Sequence, residues 1–195
     1  MIYIIRHGQT ELNSRHVLQG RTDAPLNAVG VAQAKDASRR LRQLGIRFDR
    51  VFSSPLLRAI QTAEIVAPGV PIQTDPRLIE MEYGPYEGMD LKSPSPEVVA
   101  FFSDFIHHPA PQGMEPLSDV VARAGAFMRT LRAASGDILI STHAIAMKGI
   151  LEALTPDPGG AYWSKYIGNC AVYAVSNDGG VFGIPTLFTE AGETP

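Results

Sequence analysis

One cysteine, Cys170, stands in a chain of 195 residues, so no disulfide framework can hold it together, and no Cys/His spacing resembles a zinc site. A reducing, cytoplasmic setting is the expectation. No stretch reaches the roughly 18 consecutive apolar residues that a membrane span needs, and no charged and apolar leader precedes the run that starts at Ile2. The chain reads as soluble and unexported. Strong charge of either sign is also missing: the formal net charge is −3 and the pI lies near 5.9. That balance offers no general attraction to nucleic acid or anionic lipid. The basic cluster Arg39, Arg40 and Arg42 reads as a solvated helix face. Internal repeats and low-complexity segments are lacking as well. What remains, 45% hydrophobic and 19% charged residues, fits a single domain over 1–195 with a full core and a recessed site.

Ile2 to Ile5 is an unbroken apolar run and reads as a buried strand. A polar loop follows to Pro25, and Asn27 is placed to cap a helix carrying Ala34, Ala37, Leu41 and Leu44, with Gly45 as its stop. Val51-Phe52 ends a second strand, and Ser53-Ser54-Pro55 turns into a helix with Leu57, Ile60, Ala63 and Val66. Ile72 to Met81 is expected to be extended, and a helix is expected over Val98 to Ile106. Ser118 is a capping candidate for a helix running toward Gly136. Ile138 to Ser141 is the third buried strand and leads into Thr142-His143, then a helix over Ala144 to Leu154. Ala171–Ser176 and Val181–Ile184 are expected to pair as a hairpin, and the acidic tail from Glu190 to fray. The alternation predicts a three-layer α/β/α fold: a mostly parallel, doubly wound sheet with an antiparallel edge.

In such sheets ligands bind outside the carboxyl ends of the strands. Three strands deliver Arg6-His7, Ser53 through Arg58, and His143 to that edge. Two guanidinium groups and two imidazoles facing one crevice suit a compact anion, phosphoryl above all, because planar forks match its oxygens. Fixed cations depress a neighbouring histidine's pKa and keep its imidazole neutral and nucleophilic. His7 is the candidate nucleophile and His143 the candidate donor to a phosphoryl oxygen. A leaving alkoxide needs a proton, and a carboxyl group beside a phosphate dianion can supply it. Glu80 and Glu82 are both available, and on a regular strand they would share one face. Cys170, ahead of Ala171–Val175, reads as a buried structural thiol, and His16, His107 and His108 as loop and helix-end residues.

Five segments in register carry a resemblance: Arg6-His7-Gly8-Gln9-Thr10-Glu11 with Asn13; Gln19-Gly20 with Asp23, Pro25-Leu26-Asn27 and Gly30; Ser53-Ser54-Pro55-Leu56 with Arg58-Ala59 and Thr62-Ala63; Leu78 and Glu80 with Tyr83-Gly84 and Glu87-Gly88; and Ser141-Thr142-His143. Together they resemble the phosphoglycerate mutase-like branch of the histidine phosphatase superfamily. The resemblance implies that His7 is the phosphorylated nucleophile and that Arg6, Arg58 and His143 complete a phosphate pocket. It implies that Asn13 helps hold phosphate and that Gln19-Gly20 approaches the substrate. It implies that Glu80 is the acid, leaving Glu82 a supporting role, with Glu11 and Asp23 tying down the loop. No metal and no cofactor are implied. The usual glycine after the second histidine is replaced by Ala144.

Residues 85–118 correspond to a segment expected to cover the site as a small lid. In longer mutases of the family this insertion carries basic residues for the substrate's distal anion, whereas here Lys92 stands alone among Glu87, Asp90, Glu97, Asp104 and Glu115. Hydrolysis of a small phosphomonoester is therefore the expected activity. A cofactor-dependent phosphoglycerate mutase and a catalytically inactive phosphate-ligand binding protein are the alternatives. Phe101, Phe102 and Phe105 are expected to pack the lid rather than touch substrate, and the Ala171–Ser176 strand, if it lies at a sheet edge, to pair two subunits into a homodimer.

Overall fold

The structure, a computed structural model, describes residues 1–156 and 159–189. Strand β1 (Ile2–Arg6) lies inside a six-stranded sheet whose order is β3-β2-β4-β1-β5-β8. Here β2 is Arg50–Ser53, β3 is Ile72–Thr74, β4 is Ile138–Thr142, β5 is Val172–Val175 and β8 is Thr186–Thr189. The pairs β1–β4, β2–β4 and β2–β3 are parallel, and β5 runs antiparallel to both β1 and β8. Alternate β1 side chains enter opposite layers, as strand geometry requires. Ile2 and Ile4 join Phe52, Ile140, Phe127, Met128, Met147 and Ile150 on one face; Tyr3 and Ile5 join Ala34, Leu41, Val51, Ala63 and Leu139 on the other. Helices α2 (Ala28–Gln43) and α3 (Leu57–Val66) cover the second face, and α5 (Leu117–Arg129) and α6 (Ala144–Leu154) the first. The mixed α/β layering, the parallel centre and the antiparallel edge are as expected.

Local chemistry explains most boundaries. The Asn27 side chain accepts from Gly30 N at 2.8 Å and starts α2, and Gly45 ends it at a φ of 78°. A short helix missed in the sequence, α1 (Glu11–Ser14), forms because Thr10 and Asn13 make a reciprocal capping box.

Four expectations need correction. The segment Ile72 to Met81 is not extended throughout: after β3, Asp75 accepts from Arg77 N and Pro76–Leu78 forms a 3₁₀ turn. Ser118 does not cap α5, which begins one residue before it after Pro116, and the helix stops at Arg129 rather than running toward Gly136. The hairpin is also different: β6 (Asn177–Asp178) and β7 (Val181–Phe182) pair only with each other, and β5 pairs with β1 and β8. β5 is therefore interior, so the edge on which subunit pairing was based is already occupied. The tail from Glu190 lies outside the described residues.

The 85–118 segment carries α4 (Pro96–Ser103) and packs through Val98, Phe101 and Met114 against Leu18, Met81, Tyr83, Ile145 and Trp163. Phe101 is fully buried, and its ring lies 4.8 Å from Phe105 and 5.2 Å from Phe102, so this aromatic trio packs the segment together.

Candidate active site

The parallel register sets the two histidines side by side. Arg6 pairs with Thr142, so His7 and His143 are the next residues out, and their rings meet edge to face with centroids 5.1 Å apart. Both side chains are buried. His7 Nδ1 lies 2.7 Å from Gly8 O, and because a carbonyl only accepts, the proton sits on Nδ1 and the Nε2 lone pair is presented. Arg58 Nε donates to that lone pair at 3.2 Å. Burial first, then the charges of Arg58 and Arg6, hold the His7 pKa well below its ordinary value, against the opposing effect of the Gly8 carbonyl. Glycine at position 8 is required by close approach: a Cβ there would lie 2.5 Å from Gly30 O.

His143 closes β4 and stands at the N-terminus of α6, with Nε2 2.7 Å from Ser54 Oγ. Its pKa is likewise held far down, by burial first and then by Arg58, His7, Arg6 and Arg123. Three buried side-chain nitrogen or oxygen atoms lack a hydrogen-bond partner among the described residues, and two of them, His143 Nδ1 and Arg6 Nε, belong to this cluster. Orphaned buried polar atoms are rare in folded proteins, and two in one cluster suit a site that a ligand completes. Arg6 also donates through Nη1 to Ile167 O at 2.5 Å.

Arg58 is fully buried and spans the site. Nη1 donates to Thr22 O at 2.9 Å and Nη2 to Gly20 O at 2.6 Å, so one guanidinium links the His7 ring to the 20–22 loop. Burial lowers its pKa, against the pull of Glu80, Asp23 and Glu87. The same loop is held by Glu87, which accepts from Gly20 N and Thr22 N, and by Asp23, which accepts from Leu57 N at the start of α3. Gly20 has no room for a side chain, since a Cβ would meet Met81 O at 2.5 Å. Gln19 is buried, accepting from Thr10 Oγ1 at 2.7 Å and donating to Thr22 O at 3.2 Å, so its amide braces the loop. Asn13 uses Oδ1 to accept from Thr10 N.

Glu80 and Glu82 separate. Leaving strand geometry at the 3₁₀ turn destroys the alternation that would have placed them on one face. Glu80 is buried, and its carboxylate accepts from Met81 N, Ile145 N and Ala146 N at 2.9 to 3.2 Å, at the N-terminus of the helix that His143 precedes. The Glu82 side chain is 51% exposed and pairs with Arg21 at 2.6 Å. Ala144 opens α6 half-buried.

Two features escaped the sequence reading. Lys148 on α6 is buried, donates to Trp163 O at 2.7 Å and lies 4.9 Å from the Phe105 ring. Burial lowers its pKa to about 8, with Glu80 opposing and Arg6 assisting. A lysine in the otherwise apolar Ala144–Leu151 run was the available signal. The second is Arg123, whose partner Glu115 lies eight residues before it. Cys170 is buried, with burial pushing its thiol up to about 12, and is inert. Surface grooves of about 490 and 530 Å³ exist, but none of the cluster residues lines either.

The neutral pair has a measurable cost in acid. An unfolded chain protonates both imidazoles below about pH 6.5 while the folded chain does not, so their contribution is complete above that pH and is lost as pH falls. The expected slope is about 1.4 kcal/mol per pH unit for each histidine. Melting curves between about pH 7.5 and 5.5 check this, and a flat melting temperature across that range would refute it.

Two buried imidazoles and two guanidinium groups at the carboxyl edge of an α/β sheet suit a compact anion such as a phosphoryl group, which points to the class of phosphoryl-handling enzymes. The comparisons narrow that class: residues 2–188 match the model of the histidine phosphatase superfamily (branch 1), and the chain belongs to that family as an enzyme of the histidine phosphatase type. A 2,3-bisphosphoglycerate-dependent phosphoglycerate mutase of Bradyrhizobium sp. (strain ORS 278) is 33% identical over 177 residues, covering 80% of this chain and 83% of the relative. YhfR of Bacillus stearothermophilus superposes with a TM-score of 0.81 at 31% identity, covering 94% of each chain. A mycobacterial glucosyl-3-phosphoglycerate phosphatase complexed with VO3 gives a TM-score of 0.79 at 26% identity, covering 90% of this chain and 92% of the other.

Proposed function

We propose that this enzyme hydrolyses a small phosphomonoester through a phosphohistidine on His7, without a metal ion. The single observation that carries the reading is the His7 lone pair, fixed by the Gly8 carbonyl and met by Arg58 Nε, with the His143 ring packed on the His7 ring. In this reading Arg6, Arg58 and His143 take the equatorial phosphoryl oxygens, swapping bonds in the resting site for bonds to the developing charge. The Asn13 amide nitrogen, left over by the capping box, is a further donor. Gln19 and Gly20 serve through the loop that Arg58 grips, and Glu82 braces that loop from outside through Arg21. Glu80 protonates the leaving oxygen and then activates water. Residues 85–118 act as a lid within one domain spanning 1–195, over a site in which His7, Arg58, Glu80 and His143 are buried.

Hydrolysis is favoured over transfer by the cover, where Lys92 is the sole lysine or arginine in 85–118 and the buried Lys148 is already engaged by Trp163 and Phe105. A mutase would have to retain a doubly anionic intermediate there. The mutase name of the sequence relative supports that second reading. Incubation with 3-phosphoglycerate separates the two, with free phosphate expected to exceed isomerised product. The arginines supply the charge a metal would otherwise provide, so turnover is expected to survive excess EDTA. Loss of phosphate release on chelation, restored by a divalent cation, would defeat the metal-independent scheme.

A further inference from the structure

The backbone around Glu80 has no ladder partners, yet it is pinned on both sides. The Arg123 side chain on α5, 17% exposed, donates through Nη1 to Arg77 O at 2.8 Å and Ile79 O at 2.6 Å. Its Nε and Nη2 grip the Glu115 carboxylate at 2.7 and 3.1 Å. Glu115 holds the next stretch: its backbone N donates to Glu82 O at 2.8 Å, and Oε2 accepts from Glu82 N at 3.1 Å. Thr142 Oγ1 adds a bond to Leu78 O at 2.8 Å. Two carbonyls before Glu80 are thus fixed to the Arg123 guanidinium, and both backbone groups of Glu82 to Glu115, one through its carboxylate and one through its backbone N–H. A planar fork with five donors can serve two carbonyls and a carboxylate together, which a lysine cannot.

We propose that Arg123, locked by Glu115, is a positioning residue for the Glu80 carboxyl and controls proton transfer to the leaving group without touching substrate. The inference rests on the reading of Glu80 as the acid given above. In the first step the His7 Nε2–P bond forms and the P–O bond to the leaving group breaks, its electron pair staying on oxygen, which takes the proton from Glu80. In the second, Glu80 takes a proton from water as the water oxygen bonds to phosphorus and the N–P pair returns to Nε2. Both steps need a Glu80 oxygen within hydrogen-bond reach of the reacting oxygen, and a displacement of about 1 Å costs on the order of 10²-fold. A leaving group that is already a stable anion needs no proton. A fault at Glu80 therefore shows with alkyl phosphates and is hidden with aryl phosphates.

The test is single-turnover release of alcohol from glycerol phosphate and from p-nitrophenyl phosphate, with thermal melts, for Arg123→Gln, Arg123→Lys, Glu115→Gln and Glu80→Gln. Arg123→Gln is expected to slow the alkyl substrate by roughly 10- to 100-fold while the aryl rate and both half-saturating concentrations stay within about threefold. Arg123→Lys should recover part of the alkyl rate, and Glu80→Gln should show the same selectivity more strongly. Equal losses on both substrates in Arg123→Gln, with Glu80→Gln selective, would overturn the inference and leave Glu80 as the acid. An unselective Glu80→Gln would overturn the reading of Glu80 and the inference with it. Should Arg123→Gln fail to fold, Arg123→Lys and Glu115→Gln carry the same criterion: selective alkyl loss supports the positioning role, and equal loss refutes it.

Discussion

Replacing His7 with alanine is expected to abolish phosphoenzyme formation and to lower turnover by on the order of 10⁴- to 10⁶-fold. The expectation follows from geometry: the 2.7 Å bond to Gly8 O commits the ring to one tautomer, the Nε2 lone pair faces Arg58, and the His143 ring packs edge to face on the His7 ring. Burial and two adjacent cations keep that lone pair available in mildly acidic solution, where an exposed histidine would be charged. The substitution also leaves Gly8 O and Arg58 Nε without this partner in a buried setting, at a cost of about 1 to 3 kcal/mol for each group. A melting curve recorded beside the kinetics separates lost chemistry from lost structure. Substantial phosphate release by folded His7→Ala would remove the nucleophile from His7.

Arg58→Ala is expected to damage activity and stability together. Its guanidinium is fully buried and joins three things: the His7 ring, Thr22 O and Gly20 O. In the proposed mechanism, removal deletes a cation beside the reacting phosphoryl group, where a single arginine contributes on the order of 10³-fold or more. It also leaves the buried Gly20 carbonyl without this partner, leaves Thr22 O with the Gln19 amide alone, and opens a void where a fully buried side chain stood, for a total of about 3 to 5 kcal/mol. Arg58→Lys should rescue little, because a point charge on a flexible stem cannot make three divergent bonds. The His7 pKa should rise toward its ordinary value in Arg58→Ala, shifting the acid limb of kcat/KM upward. A variant with wild-type melting and less than about a tenfold change in kcat would contradict this account.

Residues that act through local backbone position were legible in the sequence. Arg6-His7 and His143 follow apolar strand runs, and parallel register alone brings them to one edge. Asn27 as a cap was legible because capping needs only residues three apart. Residues whose role depends on a distant partner were not. The separation of Glu80 from Glu82 follows from the Asp75-capped turn and from the N-terminus of a helix some 65 residues away in sequence. Arg58 likewise grips Gly20 O and Thr22 O, 38 and 36 residues before it, a link that no local spacing announces. The expected β5 hairpin failed for a related reason: Asn177 to Gly180 carry turn residues, but the ladder went to β1 and β8, where Val172 to Val175 could be buried on both faces.

The most direct test is a rapid-quench experiment with a phosphorus-labelled phosphomonoester and excess EDTA, followed by peptide mapping. The account predicts an acid-labile, base-stable phosphoryl group on His7, formed with a burst of alcohol and absent from His7→Ala. Label on another residue, or full phosphate release without any phosphoenzyme in a chain that retains His7, would contradict it.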